Sequence, residues 1–218
     1  MPLTQSLPLM LASTEAVSVK QQRELSEVVF GFDVANRYRL LGPHGSDQGE
    51  VLEEANGLTG MLFRNVLSTW RPLKLHVRGP HGEELATMEK SFSFFFHRLV
   101  VFVDGVRIGA IQRKWSLLGR KYDVEDANGA VVAQIRRPLF RLWQYPVYGA
   151  SGGEIARIGK RWGGLLTELF TDADTYAVKF TEACDPSLRT LLFSAMFLID
   201  MTNTEDNANR GGLLGMGG

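Results

Sequence analysis

Between residues 80 and 160 the chain alternates short apolar runs with clusters of Gly, Asn, Asp and Pro, and the alternation repeats. Aligning on glycine brings "GEELATM" at Gly82, "GVRIGAI" at Gly105, "GAVVAQI" at Gly129 and "GGEIARI" at Gly152 into one register, at spacings of 23, 24 and 23. In each copy an aliphatic residue stands third after the glycine (Leu85, Ile108, Val132, Ile155), Ala or Gly fourth, and Met or Ile sixth. The stretches "RGPHG", "VDG", "EDANG" and "GASGG" end on these glycines or run through them. Gly and Asn tolerate positive φ at little steric cost, so each copy reads as one antiparallel hairpin. A period near 23 holds two strands of ordinary length with their connections. The small fourth residue then faces away from its aliphatic neighbours, toward a place where another backbone or a bulky group can approach.

A longer echo joins "IGAIQRKWSLLGRKYDV" to "IARIGKRWGGLLTELFTDADTYAV" and sets Trp115 and Trp162 47 residues apart, each behind a basic pair. With "RYRLL", strands near 61–66 and "PLKLHV" added, the pattern predicts eleven or twelve antiparallel strands, and so many close most simply into a barrel that removes exposed edges. The filling of that barrel is "PSLRTLLFSAMFLIDM" at 186–201. Asp185 is a good N-cap, Pro186 a good first helical residue, and apolar side chains from Leu188 onward occupy every face. The apolar stretch covers about 21 Å at 1.5 Å per residue, short of the ~30 Å hydrocarbon core of a bilayer. Arg189 and Asp200 bracket it, so the expectation is burial in protein. The fold class is therefore mainly β with one helix: a closed barrel of about 12 strands around a hydrophobic C-terminal helix. The expected organisation is a flexible segment over 1–16, a barrel domain over 17–202 and a flexible tail over 203–218.

Composition narrows the classes. Hydrophobic content of 44% and charged content of 22% are those of a globular chain. Net charge is zero, but residues 1–60 carry four basic against eight acidic side chains, and residues 107–161 carry eleven against four. Both a locally basic surface and the ordinary solvated face of strands fit this asymmetry. The single cysteine, Cys184, excludes an internal disulfide and a cysteine-built zinc site. "MPLTQSLPLMLAST" lacks a positive start and is broken by Pro8, which argues against a secretory signal and for a cytoplasmic protein. His44, His76, His81 and His97 show no metal-ligand spacing, no nucleophile-elbow motif occurs, and no Gly-rich segment precedes a helix. The expectation is a protein that is not an enzyme.

"QQRELSEVVFGFDVANRYRL" (21–40), "IGKRWGGLLTELFTDADTYAVKF" (158–180) and "SAMFLID" (194–200) together resemble the phospholipid scramblase family, and more loosely the LURP-one-related proteins and the tubby C-terminal domain. The resemblance runs from about residue 17 to 201. It implies a twelve-stranded barrel threaded by a central helix, and calcium-dependent, energy-independent movement of phospholipid between leaflets. Where the family has a cysteine-rich, acylated run, this chain has "MEKSFSFFFHRLVV", and it has no proline-rich N-terminal arm.

Three candidate sites follow. The family's calcium segment corresponds to "FTDADTYAVKF", where Asp172 and Asp174 stand at positions one and three of a cation loop. Positions five, six and twelve are Tyr176, Ala177 and Ala183, so two of five requirements are met. A weakly held calcium ion and a carboxylate-rich turn opening a strand both fit these residues. Phe92, Phe94 and Phe96 alternate and read most simply as barrel core with Phe95 opposite; the rival reading is an exposed aromatic tip that dips into a bilayer interface, with Phe95 as its membrane contact beside Lys90, His97 and Arg98. In "RRPLFRLWQYPVY", Arg136, Arg137 and Arg141 interleave with Phe140, Trp143 and Tyr145. With Lys160 and Arg161, these arginines form a candidate site for anionic headgroups, and Trp143 is a second membrane contact.

The expected partner is an anionic phospholipid or membrane surface, met from the inner face of the plasma membrane, and overall neutrality disfavours nucleic acid. The competing reading is a soluble scaffold, a ligand- or peptide-binding module or a nucleic-acid-binding regulator with no lipid role.

Overall fold

The four glycines that set the repeat all turn at positive φ: 82° at Gly82, 74° at Gly105, 87° at Gly129 and 83° at Gly152. At the second of them Asp104 is left-handed as well, with φ 51°, as a two-residue Asp-Gly hairpin requires. The computed structural model describes residues 6–22, 28–29, 32–55, 72–93, 96–117, 119–138, 143–160 and 175–214. Its strands are β1 (Ala16–Gln22), β2 (Val28–Val29), β3 (Phe32–Leu41), β4 (Asp47–Glu54), β5 (Leu73–Arg78), β6 (Glu84–Lys90), β7 (Arg98–Val103), β8 (Val106–Lys114), β9 (Arg120–Asp126), β10 (Val131–Arg137), β11 (Gln144–Gly149), β12 (Glu154–Gly159) and β13 (Thr175–Phe180).

From β3 to β13 each strand pairs antiparallel with the next, and β1 pairs with both β13 and β3. The ring thus closes through twelve strands, with the short β2 attached to β3. "RYRLL" and "PLKLHV" lie in β3 and β5 as the pattern predicts, while the strand predicted near 61–66 lies outside the described residues.

The helix Pro186–Leu214 runs through this ring, and every residue from Leu188 to Ile199 is buried. Its start is capped as its sequence predicts, the Leu188 N–H donating to Asp185 Oδ1 at 2.9 Å. Thr190 and Ser194 return their hydroxyl protons to the carbonyls of Pro186 and Thr190, which satisfies them inside an apolar interior. The small fourth residues of the repeat are packed inside the barrel. Ala86, Ala133 and Ala156 are buried, and a Cβ on Gly109 would stand 2.9 Å from Leu191 and 2.3 Å from the Glu125 carbonyl oxygen. At Gly109 the bulky group that approaches is Leu191 of the helix.

Three expectations are corrected. The segment 1–16 is not loose where it is described: Leu7–Leu11 is a helical turn whose Leu7 and Leu11 are fully buried in the core. Arg189 ties it down, donating to the carbonyls of Leu11 at 3.2 Å and Thr14 as well as those of Cys184 and Thr181. The short apolar patch is thus the stopper of one barrel end. The predicted tail from 203 continues the helix to Leu214. Phe92 and Phe96 are exposed in the connection between β6 and β7, not core: the strand ends at Lys90, so the period-two rule that placed them inside stops applying.

Outward positions of the strands carry ion pairs, among them Arg39–Asp47, Lys74–Glu89, Arg98–Glu125 and Arg157–Glu154. That is the reverse of a barrel that spans a bilayer, whose outer face is an apolar band. Among the described residues, no helix is long and apolar enough to cross a membrane.

Candidate functional site at the long-loop mouth

The two ends of the barrel differ. At one end the connections are the short segments 42–46, 79–83, 104–105, 127–130 and 150–153, and the helix enters there behind the stopper of Leu7 and Leu11. At the other end lie the connections 55–72, 91–97, 115–119, 138–143 and 160–174, all but 115–119 longer than any at the first end, and the helix leaves there. Five of the eight large exposed apolar side chains among the described residues lie at this mouth: Phe92 and Phe96 after β6, Trp115 and Leu117 after β8, and Trp143 before β11; the other three, Leu9, Val106 and Val131, lie toward the opposite end and include no aromatic ring. Trp115 is 72% and Leu117 77% exposed. These tips follow one another around the ring because β6 to β11 are successive neighbours.

Inside the rim, a polar collar surrounds the helix where it emerges. Asn203 accepts from Tyr145 Oη at 2.6 Å and from the Arg120 guanidinium, and donates to Tyr176 Oη at 3.2 Å. Tyr122 Oη and Thr202 Oγ1 are 2.7 Å apart. Arg137 stands opposite Arg120 in the ladder, with its guanidinium 5.8 Å from the Tyr145 ring centre. Burial pushes both the Tyr145 and Tyr176 phenols up, Tyr176 further because the Asp200 carboxylate stands against it. Both rings therefore stay neutral hydrogen-bonding groups.

Beside the collar opens a cavity of about 190 Å³, lined by Val19, Gln21, Tyr38, Tyr176, Met196 and Phe197, with Lys160 and Asp200 as its charged pair. Lys160 Nζ is 3.7 Å from Asp200 Oδ1, 4.4 Å from the Tyr176 ring centre and 5.4 Å from that of Trp143. A cation seated on two rings and facing a carboxylate is well stabilised.

Of the residues singled out in sequence, the mouth brings together Arg137, Trp143 and Lys160. Arg136 is set apart by strand alternation: it lies on the outer face over Tyr148, 5.6 Å from the ring centre, and donates to Gln134. The headgroup cluster is thus split by the sheet. Phe95, Arg141, Arg161, Asp172 and Asp174 lie outside the described residues. Among the described residues, no group of three or more His, Cys, Asp or Glu side chains could hold a metal. Sequence reasoning missed the roles of Asp200, Tyr176 and Asn203. The one signal present was a polar residue, Asp200, ending an apolar run.

A family model described as Scramblase matches residues 3–206. This chain belongs to the scramblase family. The scramblase-family sequence is 26% identical over 180 residues to a phospholipid scramblase family protein of Schizosaccharomyces pombe, covering 78% of this chain and 47% of that one. It is 25% identical to altered inheritance rate of mitochondria protein 25 of Saccharomyces cerevisiae, covering 75% of this chain and 58% of that one. Phospholipid scramblase 2 of Homo sapiens is 25% identical, over 87% of this chain and 67% of that one. This chain therefore spans about half the length of the two yeast relatives. A protein of Arabidopsis thaliana of known X-ray structure shares the fold, with a TM-score of 0.52 and 11% identity over 92% of this chain and 99% of that one.

Proposed function

We propose that this scramblase-family chain is a non-enzymatic protein that docks on phospholipid membrane through the long-loop mouth of its barrel. The observation that carries the reading is the gathering of Phe92, Phe96, Trp115, Leu117 and Trp143 at one end. Aromatic and aliphatic tips on one rim suit the boundary between headgroups and acyl chains, where the rings keep a polar edge in water and bury the rest. Lys114 and Arg136 are exposed on the strands directly beneath the tips, which adds attraction to anionic lipid. The relatives named phospholipid scramblases support phospholipid as the partner. Lipid would meet the mouth rather than pass through the barrel, because the interior from Leu188 to Ile199 is filled by the helix.

Flotation with vesicles of phosphatidylcholine alone and with phosphatidylserine added tests this. Recovery should be higher with phosphatidylserine, and Trp115→Asp and Phe96→Asp should remove most of it. Val106→Asp, at an exposed site on the opposite end, should float as the parent chain does. Equal recovery of Trp115→Asp and the parent would sink the proposal. Calcium dependence through Asp172 and Asp174 belongs to the same reading. Adding calcium should raise flotation of the parent and leave an Asp172→Asn, Asp174→Asn chain unchanged.

A further inference from the structure

Lys160 occupies its cavity in an unusual way for a surface lysine. Its ammonium lies over the Tyr176 ring at 4.4 Å and the Trp143 ring at 5.4 Å, and 3.7 Å from Asp200. Tyr38 lines the same cavity, its ring packed edge-on against Phe197 with centres 5.4 Å apart. Two aromatic rings and a carboxylate around one cation, with a third ring lining the same cavity, are the recognition chemistry of a quaternary ammonium, for which ring faces replace water. The apolar walls, Val19, Met196 and Phe197, suit methyl groups, whereas a lysine ammonium is a compact, strongly hydrated charge that gains nothing from them. At about 190 Å³ the space far exceeds the roughly 30 Å³ that one water takes in the liquid.

Resting on the membrane reading above, we propose that this cavity is a headgroup site for a zwitterionic phosphoammonium lipid, with phosphocholine as its best fit. The ammonium of the ligand takes the place now held by Lys160, between the Tyr176 and Trp143 rings and the Asp200 carboxylate. The displaced Lys160 turns its ammonium to the phosphate. One ion pair is thereby exchanged for two, and the more weakly hydrated cation enters the aromatic box. Arg137, whose guanidinium lies over the Tyr145 ring on β11, adds positive potential at the same mouth. The site and the rim are complementary, since the rim holds the protein at the depth where headgroups lie.

The test uses the full chain and soluble probes: phosphocholine, choline, phosphoserine and inorganic phosphate, followed by calorimetry and by transferred nuclear Overhauser effects. Phosphocholine should bind more tightly than choline and at least about tenfold more tightly than inorganic phosphate, with effects from its methyl protons to the ring protons of Tyr176 and Trp143. Lys160→Met should weaken phosphocholine roughly tenfold and choline little, while Asp200→Asn should weaken both. The methyl-to-ring effects are read on the parent chain, so they stand even if a variant fails to fold. Phosphoserine or inorganic phosphate binding as well as phosphocholine overturns the assignment, as does absence of the methyl-to-ring effects. Flotation without phosphocholine binding leaves the membrane reading intact and removes the headgroup site. Phosphocholine binding without flotation does the reverse.

Discussion

Tyr176 shows how one side chain serves packing and the site together. Its ring faces the Lys160 ammonium, its hydroxyl accepts from Asn203, and its strand, β13, closes the ring by pairing with β1. Burial and the Asp200 carboxylate both disfavour the phenolate, so its folded pKa lies above the ordinary 10.0. The sign follows directly: the stabilisation is fully present below about pH 10 and is lost as pH rises from there toward the folded value. Tyr145 acts in the same direction. Urea midpoints should therefore fall increasingly steeply as pH rises above about 10. Tyr176→Phe should make that alkaline fall shallower. At neutral pH it should cost about 1–3 kcal/mol, because the buried Asn203 amide loses the acceptor of one of its N–H groups. An alkaline profile identical to the parent's would show that Tyr176 ionises freely in the folded state.

Among the elements, the helical turn Leu7–Leu11 is the one the sequence pattern hid. Five residues with two leucines inward show no period long enough to read, and Pro8 looks like a breaker until it stands in the first turn of a helix, where it is tolerated. Its stability comes from the barrel end it covers and from the Arg189 guanidinium, which donates to the carbonyls of Leu11 and, just after the turn, Thr14. Leu11→Ala should cost about 2–5 kcal/mol, read as a lower urea midpoint at pH 7. A change within a few tenths of a kcal/mol would mean that the turn does not seal the end. The repeat hairpins were readable because their turns need a left-handed residue and their strands alternate, and both signals are local. The phenylalanines of 92–96 misled for the matching reason: alternation was visible, but where the strand stops was not.

At the scale of the whole molecule, the chain divides its labour between ends. Tight Gly turns and the stopper close one end, while longer connections, exposed aromatics and the Lys160 cavity occupy the other. Neutral overall charge leaves only local potential to act on lipid, and that potential is short-ranged: the screening length is about 10 Å at 0.1 M salt. Recovery on phosphatidylserine vesicles should hence fall as salt rises to about 0.5 M, while a residue from aromatic insertion persists. Recovery that is wholly salt-independent would remove the electrostatic share, and complete loss would remove the aromatic one.

Sequence alone determined the barrel, the turn positions and the buried helix, because turn residues, two-residue alternation and an all-round apolar stretch are properties of neighbours along the chain. It also carried the family, through segments spread from about residue 17 to 201. Which side chains meet at the mouth was decided only by closure of the ring. Strand parity sends Arg137 inward and Arg136 outward, and β12, β13 and the helix bring Lys160, Tyr176 and Asp200 together. No local pattern encodes that meeting, because it depends on the register of strands far apart in the chain and on the depth at which the helix stops beside them.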